Sequence, residues 1–174
     1  MTEHPGVHPE PGYLLLDLYE TALPQVYGYL LSRCGNRAVA EDLTAETFLA
    51  AVSALRKEAD SPLGPAWLIG VARHKLVDHW RRQEREERGL RAVGGDSAEP
   101  DDPWEVQLDA MCAQQTLSAL GVHHRAVLTL RYLDGLPVAQ VAQHLGRTLH
   151  ATEALLVRAR AAFRRAYEGE DGLR

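Results

Sequence analysis

The sequence predicts an all-α protein made of two small helical domains, which a flexible acidic linker joins. Apolar residues recur at helical spacing along most of the 174 residues, and no stretch alternates apolar and polar residues as a half-buried strand would. A run rich in glycine, proline and acids interrupts the helical pattern at residues 89–103. We therefore expect one domain at residues 13–88 and a second at residues 104–168.

Three helices are expected in the first domain. The first covers about residues 13–34 and should end at Gly35-Asn36, and Pro24 should divide or kink it because proline cannot donate the helical hydrogen bond. The second covers about residues 38–57, with an apolar stripe on one side and acids on another. The third covers about residues 65–88 and follows a loop that offers a capping serine and a proline.

Four helices are expected in the second domain, at about residues 104–120, 123–134, 137–145 and 149–167, with glycines between them. The last two have the spacing of a helix-turn-helix, in which Gly146 permits the tight turn. The residues expected to pack these two helices together are Val138, Val141, Ala142, Leu145, Leu149 and Leu155 or Leu156.

The outer face of the last helix is a candidate DNA-reading surface. The major groove of DNA is wide enough to admit a helix, and arginines can bind its phosphates or bases. The alternative is an antiparallel helical pair whose arginines are simply solvated. The arginines concerned are Arg158, Arg160, Arg164 and Arg165.

Charge is segregated along the chain, although the formal net charge is −5. Residues 63–93 carry seven basic and four acidic groups, and residues 147–167 carry five basic groups and one acid. Residues 94–109 carry six acids and no base. Salt screens charges beyond roughly 10 Å, so local charge decides whether a segment attracts phosphate. The acidic net charge therefore does not exclude a nucleic-acid partner.

The third predicted helix interleaves basic and aromatic side chains. Sites for single-stranded DNA combine a positive groove with aromatic platforms on which bases stack. The alternative is an amphipathic helix whose two tryptophans belong to the core. The residues concerned are Trp67, Arg73, His74, Lys75, His79, Trp80, Arg81 and Arg82.

The sequence predicts neither an enzyme nor a cofactor or metal site. It lacks a glycine-rich phosphate loop and a helical metal-binding motif, and Cys34 and Cys112 lie far apart. The first 12 residues lack the apolar run of a signal peptide, and no stretch approaches the roughly 18 apolar residues of a membrane span. We expect a cytoplasmic protein that makes no membrane contact itself.

Three segments, in order, resemble a known family. They are AEDLTAETFLAA at residues 40–51, AWLIGVARHKLVDHWRR at 66–82, and HRAVLTLRYLDGLPVAQVAQHLG with LLVRARAAFRR at 124–146 and 155–165. The chain resembles the extracytoplasmic-function (ECF) group of the sigma-70 family of bacterial RNA polymerase sigma factors, over about residues 13–167. The resemblance implies a transcription-initiation factor. Its first domain would bind polymerase and melt the −10 promoter element, and its second would bind the −35 element.

The resemblance also implies roles for residues of the first domain. Asp42, Glu46 and Phe48 fall in the segment that binds the coiled coil of the polymerase β′ subunit. The alternative for the two carboxylates is a solvated charged face. The chain departs from the family at Ala45, where Gln is common, and at His74, where Asn is usual. Contacts to the −10 element would come from Arg56, Lys57, Ser61, Arg73, His74, Lys75 and Arg81.

In the second domain, the residues that face DNA depart further from the family pattern. Glu153 and Leu155 stand where basic residues are common. Glu153 can accept a hydrogen bond from a cytosine amino group, or it can repel phosphate, so an altered −35 preference is expected. The implied −35 contacts are Arg147, His150, Glu153, Arg158 and Arg160.

The resemblance implies three partners: core RNA polymerase through its β′ coiled coil and its β subunit, promoter DNA, and a cognate anti-sigma factor. The linker acids would mimic RNA charge in a polymerase channel, or would form only a solvated tether. Two other functions stay open. One is a helix-turn-helix regulator that acts without core polymerase, and the other is a sigma-like protein-interaction module.

Overall fold

The computed structural model describes residues 11–57, 63–90 and 110–171. These ranges form seven α-helices and one π-helical turn, and they contain no strand, so the all-α prediction is confirmed. They fall into two compact units, one up to Leu76 and one from Val77 onward. No helix in the described ranges has both the length and the apolar character needed to cross a membrane.

The first unit contains α1 (Pro11–Cys34), α2 (Arg37–Arg56) and the beginning of α3 (Pro65–Leu90). α1 packs against α2. Fully buried aliphatic and small side chains occur in all three helices, which gives this unit an apolar core. The core residues include Ala22, Val26, Leu30, Leu43, Ala51, Leu68, Ala72 and Leu76.

Pro24 does not divide the first helix, contrary to one of the two outcomes expected from the sequence. A proline inside a helix removes one backbone hydrogen bond and crowds the preceding turn. Ala22 and Val26, on either side of Pro24, are both fully buried. We attribute the continuity of α1 to this packing, because burial of apolar surface offsets the lost hydrogen bond.

The turn between α1 and α2 follows the glycine and asparagine signal in the sequence. Gly35 has a φ of 64°, in the left-handed region that glycine adopts without strain. Asn36 is the N-cap of α2, and its side-chain oxygen accepts a hydrogen bond from the Val39 amide at 3.2 Å. This cap places the start of α2 within one residue of the predicted position.

The second unit contains the end of α3 followed by α4 (Ala110–Ala119), α5 (Val122–Leu128), a π-helical turn (Thr129–Leu133), α6 (Val138–Leu145) and α7 (Leu149–Asp171). The single helix predicted at residues 123–134 is therefore an α-helix that continues into a π turn. Most of the predicted linker, and the predicted start of the fourth helix, lie outside the described residues.

The helix-turn-helix is formed by α6 and α7. Gly146 ends α6 with a φ of 63°, and the Arg147 amide donates to the Ala142 carbonyl at 2.9 Å. Thr148 caps α7, because its hydroxyl oxygen accepts from the Ala151 amide at 3.2 Å. The buried residues of this pair include Val141, Ala142, Leu155 and Leu156, as predicted.

Leu149 does not pack as the sequence suggested, since its side chain is 50% exposed. It is the first residue of α7, and it precedes the buried stripe of that helix, which begins at Thr152. The exposure of Leu149 therefore follows from its position at the start of α7, although the side chain is apolar.

Candidate protein and nucleic-acid interfaces

An apolar groove of about 980 Å³ lies between α1 and α2 in the first unit. Leu16, Tyr19 and Leu49 line it and are 55%, 43% and 63% exposed. The ring of Tyr19 meets Phe48 edge-on, with 4.8 Å between ring centroids. Large apolar side chains exposed together are typical of binding surfaces, so this groove is a candidate protein-docking site.

Acidic residues accompany this groove on α2. Glu41 lines the groove, and Asp42 and Glu46 are exposed on the same helix. The Arg37 guanidinium lies 2.8 Å from the Glu41 carboxylate, and this hydrogen bond and the charge of Glu41 raise the pKa of Arg37 above its usual value. The groove therefore combines an apolar floor with carboxylates nearby.

The three residues predicted to bind polymerase have different environments. Asp42 and Glu46 present their carboxylates to solvent. Phe48 is only 7% exposed and forms part of the groove wall. Phe48 therefore shapes the groove but exposes little surface of its own.

A second cleft of about 680 Å³, between α2 and α3, brings together residues that were predicted separately. The Lys75 ammonium lies 3.3 Å from a Glu46 carboxylate oxygen, so a predicted DNA contact is paired with a predicted polymerase contact. Lys57 also lines this cleft. Because both partners of the pair are partly exposed, solvent screens their charges and the ion pair is weak.

The other predicted −10 residues are spread over both units. Arg56 and Lys57 are exposed where α2 ends, and Arg73 and His74 lie along α3 in the first unit. Ser61 lies outside the described residues. Arg81 belongs to the second unit.

The two tryptophans of α3 differ in burial. Trp80 is 2% exposed, so it belongs to the core of the second unit and cannot stack on a base. Trp67 is only partly buried. The core interpretation of the aromatic residues in this helix therefore holds for Trp80.

One corner of the second unit gathers charged residues around the helix-turn-helix glycine. Glu84 of α3 forms ion pairs with Arg147 and Arg88. Glu84 and Arg147 are 18% and 24% exposed, so this pair is better shielded than the pair in the first unit. Arg81 lies so close to Gly146 that an added Cβ there would come within 2.5 Å of its Nη2 atom. The left-handed φ of Gly146 favours glycine at this turn, whereas the Arg81 guanidinium ends a flexible side chain that can move aside.

His123, at the start of α5, lies beside the same corner. Burial lowers its pKa below the usual value because a charged imidazole loses hydration there. Glu84 opposes this shift, whereas Arg147 adds to it. The His123 ring also meets the His124 ring edge-on, at 4.6 Å between centroids. No local sequence pattern indicates this environment, because α3 and α5 meet only in the folded unit.

α7 separates a buried side from an exposed side. Leu155, Leu156 and Ala159 are buried, whereas Glu153 and Arg158 are exposed. His150 is exposed in the first turn of α7, and Arg160 is partly exposed. The Arg160 guanidinium donates a hydrogen bond to the Tyr132 hydroxyl at 3.3 Å. Tyr132 is 28 positions from Arg160 and shares no local pattern with it, so this contact was not predictable from the sequence.

In the described ranges, no three histidine, cysteine or acidic residues come close enough together to hold a metal ion. Cys34 is buried, and its thiol lies 3.3 Å from the Asn36 carbonyl oxygen. Cys112 is partly buried in the second unit.

The fold of the second unit places the chain among helix-turn-helix proteins. The Sigma-70 region 2 family model matches residues 18–86, and the Sigma-70, region 4 model matches residues 110–163. These two regions cover more than half of the chain, in the order in which the sequence motifs occur. The chain belongs to the sigma-70 family of RNA polymerase sigma factors, and its curated relatives place it in the ECF group.

Two of these relatives are named ECF RNA polymerase sigma factors. The ECF RNA polymerase sigma factor BldN of Streptomyces coelicolor is 31% identical over 151 residues, which is 82% of this chain and 56% of BldN. The ECF RNA polymerase sigma factor SigL of Mycobacterium tuberculosis is 33% identical over 141 residues, which is 76% of this chain and 77% of SigL. This chain thus spans little more than half of BldN but most of SigL.

A solved structure has the same fold. It is the sigma factor RpoE in complex with the anti-sigma factor NepR from Bartonella quintana. The match has a TM-score of 0.52 and 20% sequence identity, and it covers 88% of this chain and 96% of RpoE.

Proposed function

We propose that this chain is a promoter-specificity factor that binds core RNA polymerase and directs transcription initiation at promoters with −10 and −35 elements. The observation that carries this proposal is the presence of region 2 and region 4 in one chain, in that order. The exposed groove of the first unit and the exposed face of α7 supply one surface for protein and one for DNA.

The polymerase surface in this proposal is the α1–α2 groove with its neighbouring carboxylates. A coiled coil such as that of the β′ subunit buries its apolar a and d residues in its own seam and often carries charged residues beside that seam. Leu49 and Tyr19 would bury apolar area against it. Asp42 and Glu46 would pair with its basic residues, which speeds association more than it adds affinity.

The −10 surface in this proposal is the cleft that holds Lys57 and Lys75, together with the exposed end of α2. A phosphate would replace Glu46 as the partner of Lys75 and so release Glu46 toward polymerase. Exchange of this partner would link the two binding events in the first unit. The further residues of this surface would be Arg56, Ser61, Arg73, His74 and Arg81.

The −35 surface in this proposal is the exposed side of α7. Arg158 would contact a base or a phosphate, and Glu153 beside it would favour cytosine or repel phosphate. Arg160, His150 and Arg147 would complete the surface. Arg147 would first have to leave its ion pair with Glu84.

We further propose an anti-sigma factor as a partner of the first unit. RpoE, which shares the fold, is bound by such a factor, and the exposed apolar groove of this chain is the surface to which we expect it to dock. The chain would act in the cytoplasm, where promoter DNA and polymerase lie. It would carry out no catalysis of its own and would need no cofactor, and the polymerase β subunit would contact its second unit.

Selection of DNA from a random-sequence duplex pool, with and without core polymerase, tests this proposal. We expect the complex of chain and core polymerase to recover duplexes with two conserved elements, and the chain alone to recover none. Recovery of one specific site by the chain alone, with no effect of core polymerase, would instead establish a helix-turn-helix regulator. Polymerase binding without any selected DNA would establish a protein-interaction module.

A further inference from the structure

The second unit contains a π-helical turn, Thr129–Leu133, directly before the helix-turn-helix. The Asp134 amide donates to the Thr129 carbonyl at 3.0 Å, which closes a turn one residue longer than an α-helical turn. Thr129 and Leu130 are fully buried, whereas Tyr132 is 46% exposed. Such turns are rare and often occur at functional sites, so the exposed Tyr132 in this turn is a candidate functional residue.

Tyr132 links this turn to the predicted DNA-reading helix. Its hydroxyl oxygen accepts a hydrogen bond from Nη1 of Arg160, at 3.3 Å. The guanidinium of the neighbouring Arg131 lies 5.8 Å from the centre of the Tyr132 ring, and its Nη1 donates to the Leu136 carbonyl at 3.2 Å. The tyrosine thus contacts one arginine through its hydroxyl and another through its ring.

A guanidinium whose orientation is fixed before DNA binds is a better ligand for DNA than a mobile one. An arginine side chain loses much rotamer entropy when DNA fixes it, and a partner that fixes it beforehand reduces this loss. The guanidinium of Arg160 has five N–H donors, so a bond from one of them to Tyr132 leaves others for a phosphate or a base. A hydroxyl is neutral, so it orients the arginine without cancelling its charge.

We propose that Tyr132 is a positioning residue for Arg160, which sets the direction from which this guanidinium meets −35 DNA. This inference rests on the proposed function, because it takes α7 as the helix that reads the duplex. Tyr132 acts through Arg160 and needs no DNA contact of its own. Tyr132 lies in the π-helical turn, and its hydroxyl meets Arg160 of α7.

A double-mutant cycle tests this role in the complex of the full chain with core polymerase. The probe is a promoter duplex that the wild-type complex selects from a random-sequence pool, and the measurement is its dissociation constant by fluorescence anisotropy. The variants are Tyr132→Phe, Arg160→Ala and both together. Tyr13→Phe is the matched control, since it removes a hydroxyl from a 70% exposed tyrosine of the first unit. Arg158→Ala reports separately on the proposed function.

We expect Tyr132→Phe to weaken duplex binding by about twofold to tenfold, which is the range for one hydrogen bond. The double variant should bind no more weakly than Arg160→Ala, because the hydroxyl has no effect once the guanidinium is gone. Tyr13→Phe should bind as the wild type does. The melting temperature of Tyr132→Phe should equal that of the wild type, which separates positioning from a general loss of stability.

Three results would overturn the inference. The first is that Tyr132→Phe binds the duplex as tightly as the wild type does. The second is that the losses of affinity in the two single variants multiply in the double variant. The third is that Tyr132→Phe melts at a lower temperature and loses binding only for that reason. In each case a loss of binding in Arg158→Ala would leave the proposed function standing. If neither Arg158→Ala nor Arg160→Ala weakened binding, the proposed −35 surface would fall together with the role of Tyr132.

Discussion

His123 is the residue whose protonation is most clearly set by its surroundings. Burial lowers its pKa, Glu84 and Glu87 partly offset this effect, and Arg147 and Arg88 reinforce it. Because its folded-state pKa lies below the unfolded value of about 6.5, the unfolded chain binds the proton more tightly. Stability from this residue is therefore complete above about pH 6.5 and is lost as the pH falls toward the folded-state pKa.

We expect His123→Gln to reduce the loss of stability at acid pH. Between about pH 7.5 and about pH 5.5, the melting temperature of the wild type should fall further than that of the variant, because only the wild type must hold a neutral imidazole in a buried site. Circular dichroism at the two pH values measures this. His150→Gln is the matched control, since His150 is exposed, and it should follow the wild type. An equal fall for His123→Gln would contradict this account of the residue.

Glu153 is exposed on α7, and we propose that it affects the base sequence that this helix reads. We expect Glu153→Lys to change the −35 sequence that the polymerase complex selects, because a carboxylate and an ammonium hydrogen-bond to different base edges. Sequencing of selected duplexes measures the preference. Glu168→Lys makes the same charge change at an exposed position later in α7 and should leave the selected sequence as it is. If Glu153→Lys selects the wild-type sequence, Glu153 takes no part in base recognition.

At the scale of helices, the α1–α2 groove contains Leu49, whose side chain is largely exposed and so contributes little to the core. We expect Leu49→Asp to weaken binding to core polymerase by about tenfold or more, since it places a charge in an apolar contact. Fluorescence anisotropy with labelled chain measures the affinity. Met111→Asp, at a 73% exposed position in the second unit, is the control and should retain wild-type affinity. Unchanged affinity for Leu49→Asp would exclude the groove as the polymerase surface.

Helix boundaries were predictable wherever a local signal marks them. Asn36 and Gly146 sit at helix ends in both the prediction and the structure, since capping and left-handed backbone depend on a few adjacent residues. The continuity of α1 through Pro24 and the π turn after α5 were not predictable from local signals. Both depend on which neighbouring side chains are buried, which only the packed unit determines.

The candidate site residues also divide into those that local sequence patterns indicate and those that only the packed structure brings together. The exposure of Asp42, Glu46 and Arg158 follows from helical spacing, whereas their proposed roles come from the resemblance to the sigma-70 family. The Lys75–Glu46 and Arg160–Tyr132 contacts join different helices. No period in the sequence relates such residues, so these contacts needed the structure.

At the scale of the whole molecule, the chain combines two kinds of surface that a net charge of −5 conceals. The first unit offers an apolar groove with carboxylates, and the second offers a helix-turn-helix with exposed arginine. If both units recognise DNA as we propose, their affinities reinforce one another, because binding of one unit raises the local concentration of the other. The chain belongs to the sigma-70 family, and the proposed function gives each surface a role in placing polymerase at a promoter.

Run-off transcription with purified core RNA polymerase tests this central claim most directly. The template carries a promoter selected by the polymerase complex, and a template with scrambled −10 and −35 elements is the control. The account predicts a transcript of defined length only when both the chain and the intact promoter are present. Absence of that transcript, when the same core polymerase initiates normally with another sigma factor, would contradict it.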